Sequence, residues 1–201
     1  MNKLILLISF SILVFCVGCK DDNDPVVVDV WNINLDPRFE ATIDGQSVRF
    51  TSDQHLVGVG ISSSIGVSTP STFEYESNFS SIRGERAVAI NKGTLNLPLG
   101  GFPDKGEFLS FFQKGSVPFS KDAEDGIEIW FNDGKGTSWS TSKGTGDQTG
   151  STFNFEVISD FSGFDVWTVK YRASFTCTLY DDDGNSVELT NGKSMAFFSD
   201  E

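Results

Sequence analysis

From Val169 to Leu179 the chain alternates without a fault, with every odd position apolar and every even one polar. Successive side chains of a strand point to opposite faces, so 169–179 is half-buried and turns Cys177, with Phe175 and Leu179, into the core. Shorter alternating or β-branched stretches recur at 26–31, 39–43, 48–50, 55–61, 72–79, 107–113, 127–131, 137–141, 151–158, 187–189 and 194–198. Asp44-Gly45 lies between two of them. Both residues of a tight hairpin turn need positive φ, which Asp and Gly tolerate, so this pair predicts a hairpin. Asn91-Lys92-Gly93 predicts a second one between 86–90 and 94–97, and Gly58 and Gly60 predict a bulge or bend in the 55–61 strand. Residues 62–71 form a small-residue loop, and Pro98, Gly100, Gly101 and Pro103 a long turn.

No window carries helical periodicity with capping signals. Many short strands joined by Gly, Asn and Asp turns predict an all-β fold, an antiparallel β-sandwich. An up-and-down, lipocalin-like β-barrel is the alternative, because neighbour-to-neighbour hairpins would also close a sheet on itself.

The first two dozen residues follow a different pattern. Met1-Asn2-Lys3 precedes an apolar run at 4–17, then Gly18, Cys19 and the polar Lys20-Asp21-Asp22-Asn23-Asp24-Pro25. A run of this length falls short of the roughly 20 residues needed to cross a bilayer as a helix. One basic residue, an apolar middle and a small residue are the three parts of a secretory signal. The division expected is a signal peptide at 1–18, an acylated cysteine and acidic tether at 19–25, and a single β-rich domain at 26–201.

Two short motifs carry a resemblance. Cys16-Val17-Gly18-Cys19 resembles the bacterial lipobox, with Cys16 where that motif has an aliphatic residue. Lys20, Asp21, Asp22 and Asp24, with Asn23, resemble the acidic export tag of surface-exposed lipoproteins of Bacteroidota-type bacteria; as a plain sequence the run reads as a solvated tether. The segment Ala41-Thr42-Ile43-Asp44-Gly45 and the Gly184-Asn185 turn before a last strand are similar to β-domain lipoproteins of that group with no assigned role. The resemblance implies palmitate-type acylation of Cys19, a lipid anchor in the outer membrane, exposure at the cell surface and no catalytic residue. Each buried methylene contributes about 0.8 kcal/mol, and two or more chains hold a protein on a membrane.

The chain carries 15 Lys plus Arg against 28 Asp plus Glu, a formal charge of −13. Nucleic-acid binding needs a basic footprint that is missing here. A strong net charge discourages self-association, so a monomer is expected. Once Cys16 leaves with the signal and Cys19 takes lipid, Cys177 has no partner for a disulfide.

Candidate chemistry is sparse. His55 is the single histidine and reads as a solvated or capping residue, and no zinc ligand set exists. Asp181, Asp182 and Asp183, with Gly184-Asn185, offer clustered oxygens of the kind calcium takes, as do Asp122, Glu124 and Asp125. The competing reading of the first cluster is a hairpin turn whose Asp and Asn bond their own backbone. Ile127, Ile129 and Phe131 share one strand face, with Glu128 and Trp130 on the other. If Phe131 pairs with Ser138, Trp130 stands opposite Trp139, and the two indoles with Glu128 form a ligand platform for sugars or peptides; otherwise they cover the core. No catalytic set is identified and no cofactor beyond calcium is suggested. The leading expectation is non-catalytic binding of an extracellular glycan or partner protein. An assembly subunit of an outer-membrane complex, a hydrolase using Asp122, Glu124 and Asp181, and a small-molecule carrier remain as alternatives.

Overall fold

A computed structural model describes residues 31–65, 69–120 and 123–201. The signal peptide, Cys19, the acidic tether, residues 26–30 and Asp122 lie outside the described residues. In chain order the elements are β1 (Arg38–Ile43), β2 (Gln46–Thr51), β3 (His55–Ser64), β4 (Pro70–Ser81), β5 (Ala87–Leu99), α1 (Lys105–Phe111), β6 (Gly115–Ser116), β7 (Gly126–Asn132), β8 (Ser138–Ser140), β9 (Thr152–Asp160), β10 (Thr168–Tyr180) and β11 (Ser186–Ser199). The protein is all-β, and its strands pair antiparallel throughout.

The predicted alternation of β10 is what the fold is built on. Val169, Tyr171, Ala173, Phe175, Cys177 and Leu179 are all buried. One edge of β10 pairs along its length with β11, which continues through β1 to β2. The other edge forks. Residues 169–176 pair with β9, itself paired with β6, and Tyr180 pairs with Ser140 of β8, from which β7, β5, β4 and β3 follow. The two arms fold toward each other as a curled, half-barrel sheet. Phe39 of β1 and Phe50 of β2 reach Phe79 of β4, with ring centroids 6.3 and 6.4 Å apart. Residues 52–54 join β2 to β3, the two strands that end the sheet, so the curl is closed by covalent chain rather than by hydrogen bonds. The sheet therefore has facing layers like a sandwich and one continuous strand path like a barrel.

The predicted Asp44-Gly45 hairpin is present, with φ of 49° and 70° and Ile43 opposite Gln46. Other expectations change. Residues 107–113 do not form a strand; helix α1 occupies most of that stretch. Asp104 Oδ1 accepts from Glu107 N at 2.8 Å and Glu107 Oε2 accepts from Asp104 N at 2.9 Å, a reciprocal cap that outweighs the alternating look of the segment. Phe108 and Phe112 then close one end of the core against Tyr75, at 5.3 and 5.4 Å, and Phe112 stacks on Phe198 at 5.0 Å.

Asn91-Lys92-Gly93 is not a turn. β5 continues through it, with Asn91 and Lys92 paired on both edges and a register shift against β4 at Gly93, and glycine is needed because a Cβ at 93 would lie 2.8 Å from the Ala123 carbonyl and from Glu74 Cγ. Gly58 and Gly60 cause no bulge, since β3 and β4 stay in register from His55 to Ser64. The segments 187–189 and 194–198 are one strand, β11, interrupted by a register shift next to Asn191, whose φ is 53°. Trp31, expected in the first strand, lies outside it in a turn.

Candidate functional site

Strand register determines which side chains share the outer face of the β3–β4–β5–β7–β8 arm. Gly58 lies opposite Asn78, Asn78 opposite Ala89, Ala89 opposite Trp130, and Trp130 opposite Ser140. Two residues along, Gly60 lies opposite Glu76, Glu76 opposite Asn91, and Asn91 opposite Glu128. One row is thus an indole followed by the small Ala89 and then by Asn78 and Gly58, and the next is a line of carboxylates and amides. Asn78 owes its place to Gly58, because a Cβ there would lie 2.7 Å from Asn78 Oδ1.

Trp130 is 38% exposed. A groove of about 390 Å³ runs past it along Asn78, Ala89 and Asn132, and a second of about 290 Å³ lies over Gly60, Glu74 and Asn91; Glu76 borders both. Lys143 Nζ stands 5.1 Å from the indole centroid, held by the Ser138 carbonyl at 2.9 Å and by Asp182 Oδ2 at 3.0 Å.

The polar row is pre-arranged. Asn78 Nδ2 donates to Glu76 Oε1 at 2.7 Å, and Asn91 Nδ2 donates to Glu128 Oε2 at 3.2 Å. Glu128 is only 4% exposed; its other oxygen accepts from Ser140 Oγ at 2.9 Å and from Ser142 Oγ. Three neutral donors thus hold a buried carboxylate without an ion pair, while Asn91 Oδ1 is buried and has no hydrogen-bond partner. The ledge offers one aromatic surface and a file of hydrogen-bonding groups whose orientations are already set.

The expected pairing of the two indoles is corrected by the register. Phe131, not Trp130, lies opposite Trp139, and Trp130 lies opposite Ser140. The 133–137 loop sets this offset: Asp133 Oδ1 accepts from Lys135 N at 2.7 Å and Thr137 N at 3.2 Å, and Asn132 pairs with Ser138. A shift of one residue sends a side chain to the other face. Trp130 and Glu128 therefore stay on the outer face, while Trp139 goes inward beside Phe131, packed against the core. No two-indole platform exists.

Asp181 closes its own turn. Its Oδ1 accepts from Asp183 N at 3.0 Å and Asn185 N at 2.8 Å, and its Oδ2 from Asn185 Nδ2 at 2.8 Å. The Asn185 side chain, followed by these backbone donors, holds the Asp181 carboxyl below the usual carboxylate range. Asp182 points away to Lys143, and Glu124 and Asp125 are exposed before β7. Among the described residues, no group of three His, Cys, Asp or Glu side chains converges. His55 caps the β2–β3 turn, its Nδ1 accepting from Thr51 N at 3.1 Å and its ring lying 4.9 Å from Phe50. Burial pushes the Cys177 thiol well above its usual range.

No family model, curated protein or solved structure gives a significant match to this chain. The functional argument therefore rests on the ledge itself. Glu76, Asn78 and Asn91 were not singled out from the sequence. The signal that could have found them is the Glu-x-Glu-x-Asn file at 74–78 facing Gly-x-Gly at 58–60, which is visible only once β3 and β4 are paired.

Proposed function

We propose that this protein is a lipid-anchored lipoprotein of the outer membrane, exposed at the cell surface, which holds an extracellular glycan on the Trp130 ledge without turning it over. The observation that carries the binding reading is the pair of adjacent rows. An exposed indole passes without intervening bulk into Ala89 and is bounded beyond it by Asn78, beside Glu76, Asn91 and Glu128. The C–H face of a sugar ring carries partial positive charge and meets the negative π face of an indole, while ring hydroxyls donate to carboxylates and exchange hydrogen bonds with amides. Shallow open grooves suit a chain lying across the sheet. The anchor and the location rest on Gly18-Cys19 and the acidic run after it.

Affinity electrophoresis of the mature protein through gels containing soluble neutral polysaccharides tests the binding. At least one polysaccharide should retard it, and Trp130→Ala should abolish the retardation while leaving circular dichroism unchanged. A Trp130→Ala variant retarded as strongly as the parent would refute the ledge. Mass spectrometry of the mature N-terminus tests the anchor, with Cys19 expected to be acylated.

A second reading, an assembly subunit, has one observation behind it. Among the described residues β3 forms a strand ladder only with β4, carries no Asp, Glu, Lys or Arg over ten residues, and leaves Leu56, Val59 and Ile61 exposed. Such an edge can accept a strand from another protein. Cross-linking in intact cells that traps a partner at β3, and loses it in Val59→Lys, would favour this reading.

A further inference from the structure

The end of the curled sheet opposite α1 holds a cleft of about 230 Å³ between the β1–β2 hairpin, the β7–β8 loop and the start of β11. Its apolar side is built from Trp139, Phe131 and Val187, and its rim carries Arg86 and Lys135 with Asp44 and Asp133, the last with one carboxylate oxygen held by Lys135 N and Thr137 N. The Arg86 guanidinium lies over the Phe131 ring at 6.0 Å. Gly134, at φ +75°, brings the loop so close that a Cβ there would meet Arg86 Cγ at 2.6 Å, so the stem of Arg86 is held by backbone. Neither Arg86 nor Lys135 forms an ion pair with a described residue. The long-range repulsion of the chain's net charge of −13 is screened beyond about 8 Å at physiological salt, so an anion at the rim responds mainly to the charges that line it, Arg86 and Lys135 against Asp44 and Asp133.

We infer that this cleft is a second binding site, which takes a single carboxylate-bearing sugar residue, a uronic acid, with its ring on Trp139 and its carboxylate on Arg86 and Lys135. Guanidinium matches a carboxylate with two parallel donors, and Gln46 and Ser47 on the same rim supply neutral partners for hydroxyls. The volume is below the usual 300 to 1,000 Å³ of larger ligand pockets, which fits one ring rather than a chain. The choice of a sugar rests on the ledge reading, but the surfaces are separate, because Trp130 and Trp139 project from opposite faces of the β7–β8 pair.

The test is titration of the mature protein, labelled with ¹⁵N at tryptophan, with methyl glucuronide and with methyl glucoside. The indole N–H signals are assigned through Trp130→Phe and Trp139→Phe. The expected result is a saturable shift of the Trp139 signal with the glucuronide, at least about tenfold weaker binding of the glucoside, and a comparable loss in Arg86→Gln. Arg86 is exposed, so that variant should keep the spectrum of the folded protein. Equal binding of the two sugars, unchanged affinity in Arg86→Gln, or no shift of Trp139 at all would overturn the inference. A shift confined to Trp130 would also overturn it, while supporting the ledge; a shift confined to Trp139 leaves the ledge to its own test.

Discussion

The side-chain amide of Gln148 stands in for a strand beside Thr178. Gln148 Nε2 donates to the Thr178 carbonyl at 2.7 Å, and Gln148 Oε1 accepts from Thr178 N at 3.2 Å. The substitution falls where the sheet forks: β9 pairs with β10 as far as Thr176, and β8 reaches it only at Tyr180. One residue between them would otherwise lack both ladder bonds. The same amide also donates to the Thr141 carbonyl at 3.0 Å, tying the loop after β8 to the fork.

Gln148→Ala should therefore cost more than an ordinary loop substitution. Three partly buried backbone groups lose a partner, and each unsatisfied group costs about 1 to 3 kcal/mol. We expect a loss of about 2 to 4 kcal/mol in urea unfolding. Gln148→Glu should cost at least as much as Ala, because a carboxylate oxygen would face the Thr178 and Thr141 carbonyls to which Nε2 donates. Amide exchange at Thr178 should accelerate in both variants.

The two tryptophans of the β7–β8 hairpin should respond oppositely to truncation. Trp139 packs against the core, so Trp139→Ala should destabilise by about 2 kcal/mol or more. Trp130 is exposed on the outer face, so Trp130→Ala should stay within about 1 kcal/mol of the parent. Equal costs in thermal unfolding would contradict the register that separates them.

Lys92 is 7% exposed, with its ammonium 3.9 Å above the Phe111 ring and one bond to the Gly93 carbonyl at 3.3 Å. Burial, opposed in part by the charge of Asp125, lowers its pKa from 10.5 to about 8. Below pH 8 both folded and unfolded chains carry the proton, and the fold bears the cost of burying it. Between pH 8 and 10.5 the unfolded chain binds more protons, so the Lys92 contribution to stability rises with pH through this window. Cys177 and Tyr171, whose ionisation burial pushes upward, act in the opposite direction above their unfolded values of 9.0 and 10.0. The comparison must therefore be with Lys92→Met. That variant should be more stable than the parent at pH 7, by about 2 to 3 kcal/mol, with the advantage shrinking toward pH 10. A constant difference from pH 7 to 10 would argue against the lowered pKa.

Asp181→Ala removes three hydrogen bonds from the turn between β10 and β11. We expect the variant to unfold at a lower urea concentration than the parent at neutral pH. Because folding depresses this pKa, the Asp181 contribution is present above 3.8 and is lost as the pH falls through the lower folded value. Parent and variant should converge in acid.

How far the sequence could be read depended on whether a signal was local. Alternation in 169–179 and the Asp44-Gly45 pair are local, and both predictions match the structure. The 107–113 segment misled because Phe108, Phe111 and Phe112 look strand-like, while the cap that decides the issue pairs Glu107 with Asp104, three residues before the alternating window. Gly93 looked like a turn residue, yet it is there for the close approach of Glu74 and Ala123. At the site, Trp130 and Glu128 were found because they stand on one strand, two residues apart. Asn78, Glu76 and Asn91 come from other strands, so their alignment with Trp130 depends on three pairings that no short window contains. Trp139 was misplaced by one residue of register, for the same reason.

Trp31 gives the molecule a back and a front. Arg172 Nη1 donates to its carbonyl at 2.8 Å, and the cations of Arg38 and Lys193 lie 5.7 and 5.8 Å from its ring, so Trp31 is held against β1, β10 and β11. The Trp130 ledge is carried by the other arm of the fork. The residues that hold Trp31 and those that form the ledge therefore lie on different arms of the sheet, and neither surface has to yield to the other.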